Sequence, residues 1–517
     1  MPAKDRRQQQ KPAESASRLG ARDLTATTEG ILARHPAVGL AVGVVREGRL
    51  EAFHGHGVAD IASRTPITED TVFRVASITK TFTAVAVMQL WEQGLVDLDA
   101  PANDYLRAFR LIPARTGHRP ATVRHLLTHT AGLPETLRPW DAFLPDWGES
   151  VAVGRPVPSL AELYGGALRL AAEPGTRFVY GNHSPATLGQ IVEDVSGELL
   201  GRYFRDHIFE PLGMTGTDLG RSERVRSRLA TGYEMGPGGA KAMVERELAT
   251  AGAGSVCSSP RDMSRYLAAL LGGGSNEHGS VLRPATVASM FEPQYRPDPR
   301  IAGMGLAFFR LDVGGHRAVE HQGTLPGYHS QIILAPDDGV GVMAFTNGSW
   351  QADFWLPAEM SALLEQVLGV ERAPRPPLPA CPERWGDFCG WYQLDARISD
   401  IRLRGMMGAG VEVFVRAGRL MARFLSPIPE MYRGFPLVPD SATDPDVYRI
   451  DLPAFEGGLR FVFGRGPGGD VTAVHFDMMP VTLRRQADRT NPRRWATGML
   501  GAAGVGAAAL ALRRAIR

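Results

Sequence analysis

Ser77 and Lys80 stand three residues apart in Ser77-Ile-Thr-Lys80, at the head of a long apolar stretch. On a helix this spacing puts the hydroxyl and the amine on one face, one turn apart. A serine hydroxyl is a poor nucleophile unless a base lies in hydrogen-bond reach. A lysine can be that base once burial lowers its pKa, whereas arginine never gives up its proton. That difference matters in this chain. Of its 57 basic residues only Lys4, Lys11, Lys80 and Lys241 are lysine, and all the others are arginine. Ser77 would also occupy the first turn of the helix, where free N–H groups favour developing negative charge. The alternative is a Lys80 that merely snorkels from a helix face.

Two further groupings fit the same chemistry. Tyr180-Gly181-Asn182 precedes a helical pattern. A tyrosine near a lysine can relay a proton to a leaving group, and an asparagine can hold both the lysine and a substrate amide. His321-Gln322-Gly323-Thr324 heads a Gly/Pro-rich segment before an apolar strand. A backbone N–H on such a strand edge could join that of Ser77 in an oxyanion hole. Other chemistries lack their parts. His125 and His129 have the four-residue spacing of a helical metal pair, but no third ligand or His-Glu-x-x-His frame accompanies them. There is no Gly-x-Ser-x-Gly elbow and no Gly-x-x-x-x-Gly-Lys phosphate loop. No metal and no cofactor are expected.

The elements that must position these residues are legible in the apolar pattern. Val38–Val45 and Arg46–Leu50 read as a hairpin, and Ile78–Gln93 as a helix stopped by Gly94. Ser184-Pro185 reads as a helix cap with proline at the first position, followed by an apolar stripe that Gly197 ends. Ser330–Ala335 and Gly339–Thr346 read as paired strands, and Phe354–Leu368 as a helix. Strands at both ends with helices between them imply one sheet closed by the two termini of a domain spanning about 24–371.

The 517 residues are 44% hydrophobic and 22% charged, as in an ordinary globular protein of more than one domain. A net charge of +2 argues against a protein devoted to nucleic acid. Three cysteines, Cys257, Cys381 and Cys389, do not make a disulfide framework. Residues 1–23 read as a polar tail with no signal peptide. Residues 372–382 carry five prolines and read as an extended linker. From 383 to 486, short alternating runs such as Leu459–Phe463 and Val471–Phe476, separated by Gly-rich turns, read as an all-β module. The tail from 487 to 517 is basic and contains an uncharged run, 495–512, of the minimum length for a membrane span. That run reads either as a membrane-attached segment or as a loosely packed extension. The chain is accordingly expected in the cytoplasm or at a membrane.

Ser77-Ile-Thr-Lys80, Tyr180-Gly-Asn182 and His321-Gln-Gly323 stand in the order and approximate spacing of the serine β-lactamase and penicillin-binding-protein superfamily. The chain resembles its class C-like branch, which includes esterases, D-aminopeptidases and D-alanyl-D-alanine carboxypeptidase-like proteins. Phe73–Phe82, Val123–Pro134, Glu173–Asn182, Pro211–Met214 and Gly323–Tyr328 share in the resemblance, which covers most of residues 30–370. It implies an α/β (α+β) β-lactamase/transpeptidase-like domain with an antiparallel sheet, followed by a small barrel-like β domain.

For the site, the resemblance implies Ser77 as nucleophile, Lys80 as base and Tyr180 as proton relay. Asn182, His321, Gly323 and Thr324 would bind substrate, with the N–H groups of Ser77 and Thr324 as oxyanion donors. The chemistry is hydrolysis of a small ester or amide, including D-amino-acid peptides, through an acyl-enzyme. The chain departs from β-lactamases where they have Lys-Thr-Gly. A neutral His321 binds a carboxylate less well, so β-lactam turnover is expected to be weak. The alternative from a different class is a non-catalytic ligand sensor or membrane-associated binding protein.

Overall fold

The computed structural model describes residues 20–371, 378–394, 404, 408–426, 429–452, 455–477 and 479–493. Most of the expected polar N-terminal tail, linker residues 372–377 and the apolar run 495–512 lie outside the described residues.

Among the described residues, seven strands form one antiparallel sheet. They are β1 (Gly39–Arg46), β2 (Arg49–Asp60), β3 (Thr65–Pro66), β4 (Phe309–Val313), β5 (His316–Leu325), β6 (Tyr328–Ala335) and β7 (Val340–Thr346). Their spatial order is β4-β5-β6-β7-β1-β2-β3. The two ends of the domain therefore meet where β1 pairs with β7, Leu40 opposite Thr346 and Arg46 opposite Val340. β1 and β2 are joined by Glu47 and Gly48, both at positive φ (52° and 74°), a two-residue turn whose twist matches that of the strands.

β1 is apolar along its length because both of its faces are covered. Five helices supply most of the cover: α1 (Ala21–Arg34), α2 (Thr79–Glu92), α3 (His183–Ser196), α4 (Pro260–Leu271) and α5 (Ala352–Leu368). Side chains alternate across the strand. Leu40, Val42 and Val44 pack with Leu24 and Ile31 of α1 and Trp355 and Leu356 of α5. Ala41 and Val45 belong to the opposite cluster, with Phe82 of α2, Leu188 of α3 and Tyr266 of α4. The catalytic-type residues lie on this second side.

Local details differ from the sequence expectation. α2 begins at Thr79, and Ser77 sits in a separate 3-10 turn, Ala76–Ile78. α3 begins at His183 with Asn182 as the cap residue, so Ser184 and Pro185 lie inside its first turn. Proline is tolerated there because its missing N–H has no helical partner to lose. His321, Gln322, Gly323 and Thr324 do precede the Ser330 strand, β6, but they lie within a strand of their own, β5, which pairs with it. α5 contains Pro357, which leaves the Asp353 carbonyl without its helical donor. Gln322 Nε2 donates to that carbonyl at 3.0 Å, which fastens β5 to α5.

Among the described residues, the C-terminal unit is a nine-stranded antiparallel sheet curled into a nearly closed barrel. Its core includes Tyr392, Phe424, Phe461, Phe463 and Phe476, and Phe178 and Met304 of the large domain join the same cluster. Arg300 donates to Asp444 Oδ2 at 3.0 Å and to the Phe463 carbonyl at 2.9 Å across the same boundary. The chain stays with the barrel past Gln486, where Asn491 Nδ2 donates to Glu412 Oε1 at 3.0 Å. Cys257, Cys381 and Cys389 are free thiols, and burial pushes Cys257 up to about 12. Among the described residues no helix is long and apolar enough to cross a membrane.

Candidate active site

The turn carrying Ser77 is shaped from three sides. Ala76 takes a left-handed φ of 48°, a conformation that costs an L-residue roughly 1–2 kcal/mol. Flanking bonds hold it there. Val75 N–H donates to the Val256 carbonyl at 3.0 Å, and Ser330 Oγ donates to the Val75 carbonyl at 2.8 Å. Val256 N–H in turn donates to Thr79 Oγ1 at 3.0 Å. Ser77 itself is half-buried.

Lys80 lies one helical turn on and is 1% exposed. A cation so placed needs acceptors, and Lys80 Nζ donates to Ser77 Oγ at 2.8 Å, Asn182 Oδ1 at 3.0 Å and the Ala253 carbonyl at 2.9 Å. The spacing expectation is met: hydroxyl and amine share one face and touch.

Tyr180 and Asn182 arrive on the segment leading into α3. Val179 N–H donates to the His129 carbonyl at 2.9 Å. The Tyr180 ring packs against His129 at 4.7 Å and Phe309 at 5.8 Å between centroids, and its centroid lies 5.1 Å from Lys80 Nζ. Asn182 makes no capping bond to α3. Its side chain is engaged instead by Lys80 on one side and by Glu149 on the other, with Nδ2 donating to Glu149 Oε2 at 3.0 Å.

His321 forms part of the wall. It is fully buried, its ring 5.8 Å from Phe309 and 6.3 Å from Tyr180. Nδ1 lies 2.8 Å from the Gln322 carbonyl, the position of a donated N–H. Burial, with the charge of Lys80 adding to it, pushes the imidazole down to about 3, so it is neutral at physiological pH. Gly323 lets β5 lie close against the Ser77 turn, because a Cβ there would collide with the Val75 carbonyl and Ser330 Oγ. Thr324 is exposed and its Oγ1 donates to Asp353 Oδ1 at 2.5 Å.

Ser77, Lys80, Tyr180, Asn182 and His321 are thus brought together, with Gly323 and Thr324 on the adjoining strand. His125 and His129 do not share a helical face, because that helix ends at Leu127 and His129 has a φ of 55°. Among the described residues no group of three His, Cys, Asp or Glu side chains is placed to hold a metal. Sequence reasoning missed Glu149, Thr250 and Ala253. The only signal for the last two is the small-residue run Thr250-Ala-Gly-Ala-Gly254, whose backbone passes close enough for Gly252 O to accept from Thr83 at 2.6 Å.

The beta-lactamase family model matches residues 24–359. An unguisins hydrolase of Aspergillus campestris is 26% identical over 385 residues, which cover 72% of this chain and 68% of that one. Penicillin-binding protein 4 of Amycolatopsis lactamdurans is 26% identical over 381 residues, 71% of this chain and 96% of the other. The octameric penicillin-binding protein homologue from Pyrococcus abyssi, at 24% identity, has the same fold. It superposes with a TM-score of 0.57 over 89% of this chain and 99% of its own. With well over half of its length matched, this chain belongs to the beta-lactamase family of serine hydrolases.

Proposed function

We propose that the protein is an acyl hydrolase that forms an acyl-enzyme on Ser77 and acts on a small ester or amide, D-amino-acid peptides included. The observation that carries this reading is the 2.8 Å contact between Lys80 Nζ and Ser77 Oγ inside a buried set of acceptors. In the first step Ser77 Oγ attacks the carbonyl carbon and its proton passes to neutral Lys80. The backbone N–H groups of Ser77 and Thr324 take the oxyanion. Asn182 holds the substrate amide or carbonyl with the N–H that Glu149 does not use. Tyr180 relays the proton to the leaving oxygen or nitrogen as the C–O or C–N bond breaks, leaving the acyl ester on Ser77. Water then adds to the ester carbonyl, its proton passes to the Tyr180–Lys80 pair, and Ser77 departs reprotonated with release of the carboxylic acid.

The neutrality of His321 favours esters and amides over substrates that need a cation for their carboxylate. β-Lactams would then acylate Ser77 and turn over slowly. One relative is named a hydrolase and another a penicillin-binding protein, and both names fit a serine that accepts an acyl group.

Intact-mass spectrometry after exposure to a fluorophosphonate, a penicillin, aryl esters and D-alanyl amides tests the reading. One adduct on the wild type and none on Ser77→Ala is expected. Lys80→Arg keeps charge and reach but cannot serve as base, so its acylation should fall by about 100-fold or more. No adduct on the wild type, or wild-type acylation in Lys80→Arg, would overturn it.

A further inference from the structure

We propose that Glu149 is a positioning residue for acyl transfer: by fixing the orientation of the Asn182 amide it directs the lone pair of Lys80 at Ser77. The inference rests on the acyl-transfer reading and assigns a part to a residue that reading leaves aside.

Glu149 is 2% exposed and its backbone is held on both sides. Before it, Asp146, Trp147 and Gly148 all have left-handed φ (47°, 59° and 76°). That bend is pinned by Ser150 Oγ donating to Asp146 Oδ2 at 2.5 Å and by Arg246 Nε donating to Ser150 Oγ at 2.7 Å. After it, Ser150–Ala152 pairs with Arg246–Leu248, and Ala249 N–H donates to the Glu149 carbonyl at 2.8 Å. The side chain accepts from Asn182 Nδ2 at 3.0 Å and from Thr250 Oγ1 at 2.9 Å, both on Oε2. His183 Nε2 lies 3.8 Å from Oε1, and Tyr164 OH backs His183 at 3.1 Å from Nδ1.

A carboxylate only accepts, whereas an amide both donates and accepts and can be turned end for end. Beside Glu149, Asn182 must present its NH2 to the carboxylate, which leaves Oδ1 facing Lys80. A neutral lysine has two N–H bonds and one lone pair. In the cationic form Nζ donates to Ser77 Oγ, Asn182 Oδ1 and the Ala253 carbonyl. When the proton facing Ser77 is lost and the bonds to Asn182 Oδ1 and the Ala253 carbonyl are kept, the tetrahedral nitrogen turns its lone pair to the Ser77 hydroxyl. A flipped Asn182 would face Lys80 with N–H groups and draw the lone pair away from Ser77. The other titratable groups facing Lys80 are Tyr180, from the segment before α3, and His321 of β5, which is neutral.

Glu149→Gln in the full chain is the test, because glutamine lets Asn182 adopt either orientation. With an aryl ester, kcat is expected to fall about tenfold while KM changes little, the mark of a misdirected base rather than a lost binding contact. The acid limb of kcat/KM should move to lower pH, since losing a nearby negative charge favours the neutral lysine. On an Asn182→Ala background the same change should lower kcat less than about twofold, because Glu149 acts through Asn182. Glu149→Asp keeps the charge but withdraws the oxygens. It should lower kcat without moving the limb and replaces Glu149→Gln if that variant shows no cooperative melting. Equal losses in both backgrounds, or an unchanged kcat, overturn the proposal. A wild type that takes up no fluorophosphonate overturns the acyl-transfer reading and the proposal together, so the two failures are distinguishable.

Discussion

The Ser330 hydroxyl donates to the Val75 carbonyl at 2.8 Å, tying β6 to the residue two places before Ser77. β5 passes beside that bond at Gly323, where space rather than backbone conformation demands glycine: a Cβ would strike both partners of the bond. Gly323→Ala must therefore displace the turn that carries Ser77, and kcat should fall by about 100-fold or more. Ser330→Ala removes one buried hydrogen bond and leaves the turn room, costing about 1–2 kcal/mol of stability. Thermal melting together with the acylation burst rate checks both. A Gly323→Ala enzyme with a wild-type burst would refute the packing of strand over turn.

Glu320 and His321, neighbours on β5, are expected to give stability opposite pH dependences. Burial pushes His321 down to about 3, so below its unfolded value of 6.5 the unfolded chain takes up a proton that the folded chain refuses. Stability from this group is full above 6.5 and falls toward pH 3, by up to about 1.4 kcal/mol per pH unit. Burial lifts Glu320 to about 7 from an ordinary 4.5, against the opposing hydrogen bond from Gln331. Its contribution is full below 4.5 and is lost as pH rises to about 7. Between pH 6.5 and 4.5, His321→Gln should therefore gain stability relative to wild type as pH drops, and Glu320→Gln should lose it. Urea midpoints at pH 7, 6 and 5 measure this, and parallel curves for all three proteins would contradict the desolvation of both groups.

The parts of the site readable in the sequence are those whose geometry is local. Ser77 and Lys80 meet because they stand three positions, about one helical turn, apart, and Tyr180 and Asn182 travel together on one segment. The closure of the sheet by β1 and β7 was readable too, since strand patterns lie at both ends of the domain. Glu149, Ala253 and Thr250 were not, because packing between distant segments decides which acceptors surround a buried lysine. The start of α3 is hidden in the sequence for a related reason. Ser184-Pro185 looks like a cap and first turn, but the actual cap residue, Asn182, spends its side chain on Lys80 and Glu149, which no propensity reveals. The place of His321 inside a continuous strand was hidden by the Gly and Pro around it. Leu325 and Tyr328 still pair across the tight turn that those residues form.

The barrel domain is expected to influence the site through Phe178. This ring is 4% exposed, stands two residues before Tyr180 and shares a cluster with Tyr392 and Phe463 of the barrel. It lies 6.4 Å from Tyr295 and edge-on to Phe309 at 6.2 Å, and Phe309 also touches Tyr180 and His321. Phe178→Ala should cost about 3–5 kcal/mol of stability through the cavity it leaves. Phe178→Leu nearly conserves volume and should cost less than about 1.5 kcal/mol, so it isolates the effect on catalysis. With the aromatic contacts gone, the segment bearing Tyr180 loses its fixed backing, and kcat for an aryl ester should drop severalfold while the melting temperature stays close to wild type. A Phe178→Leu protein with unchanged kcat would mean that Tyr180 is held by His129 and Phe309 alone. The barrel would then have no hold on the chemistry through this route.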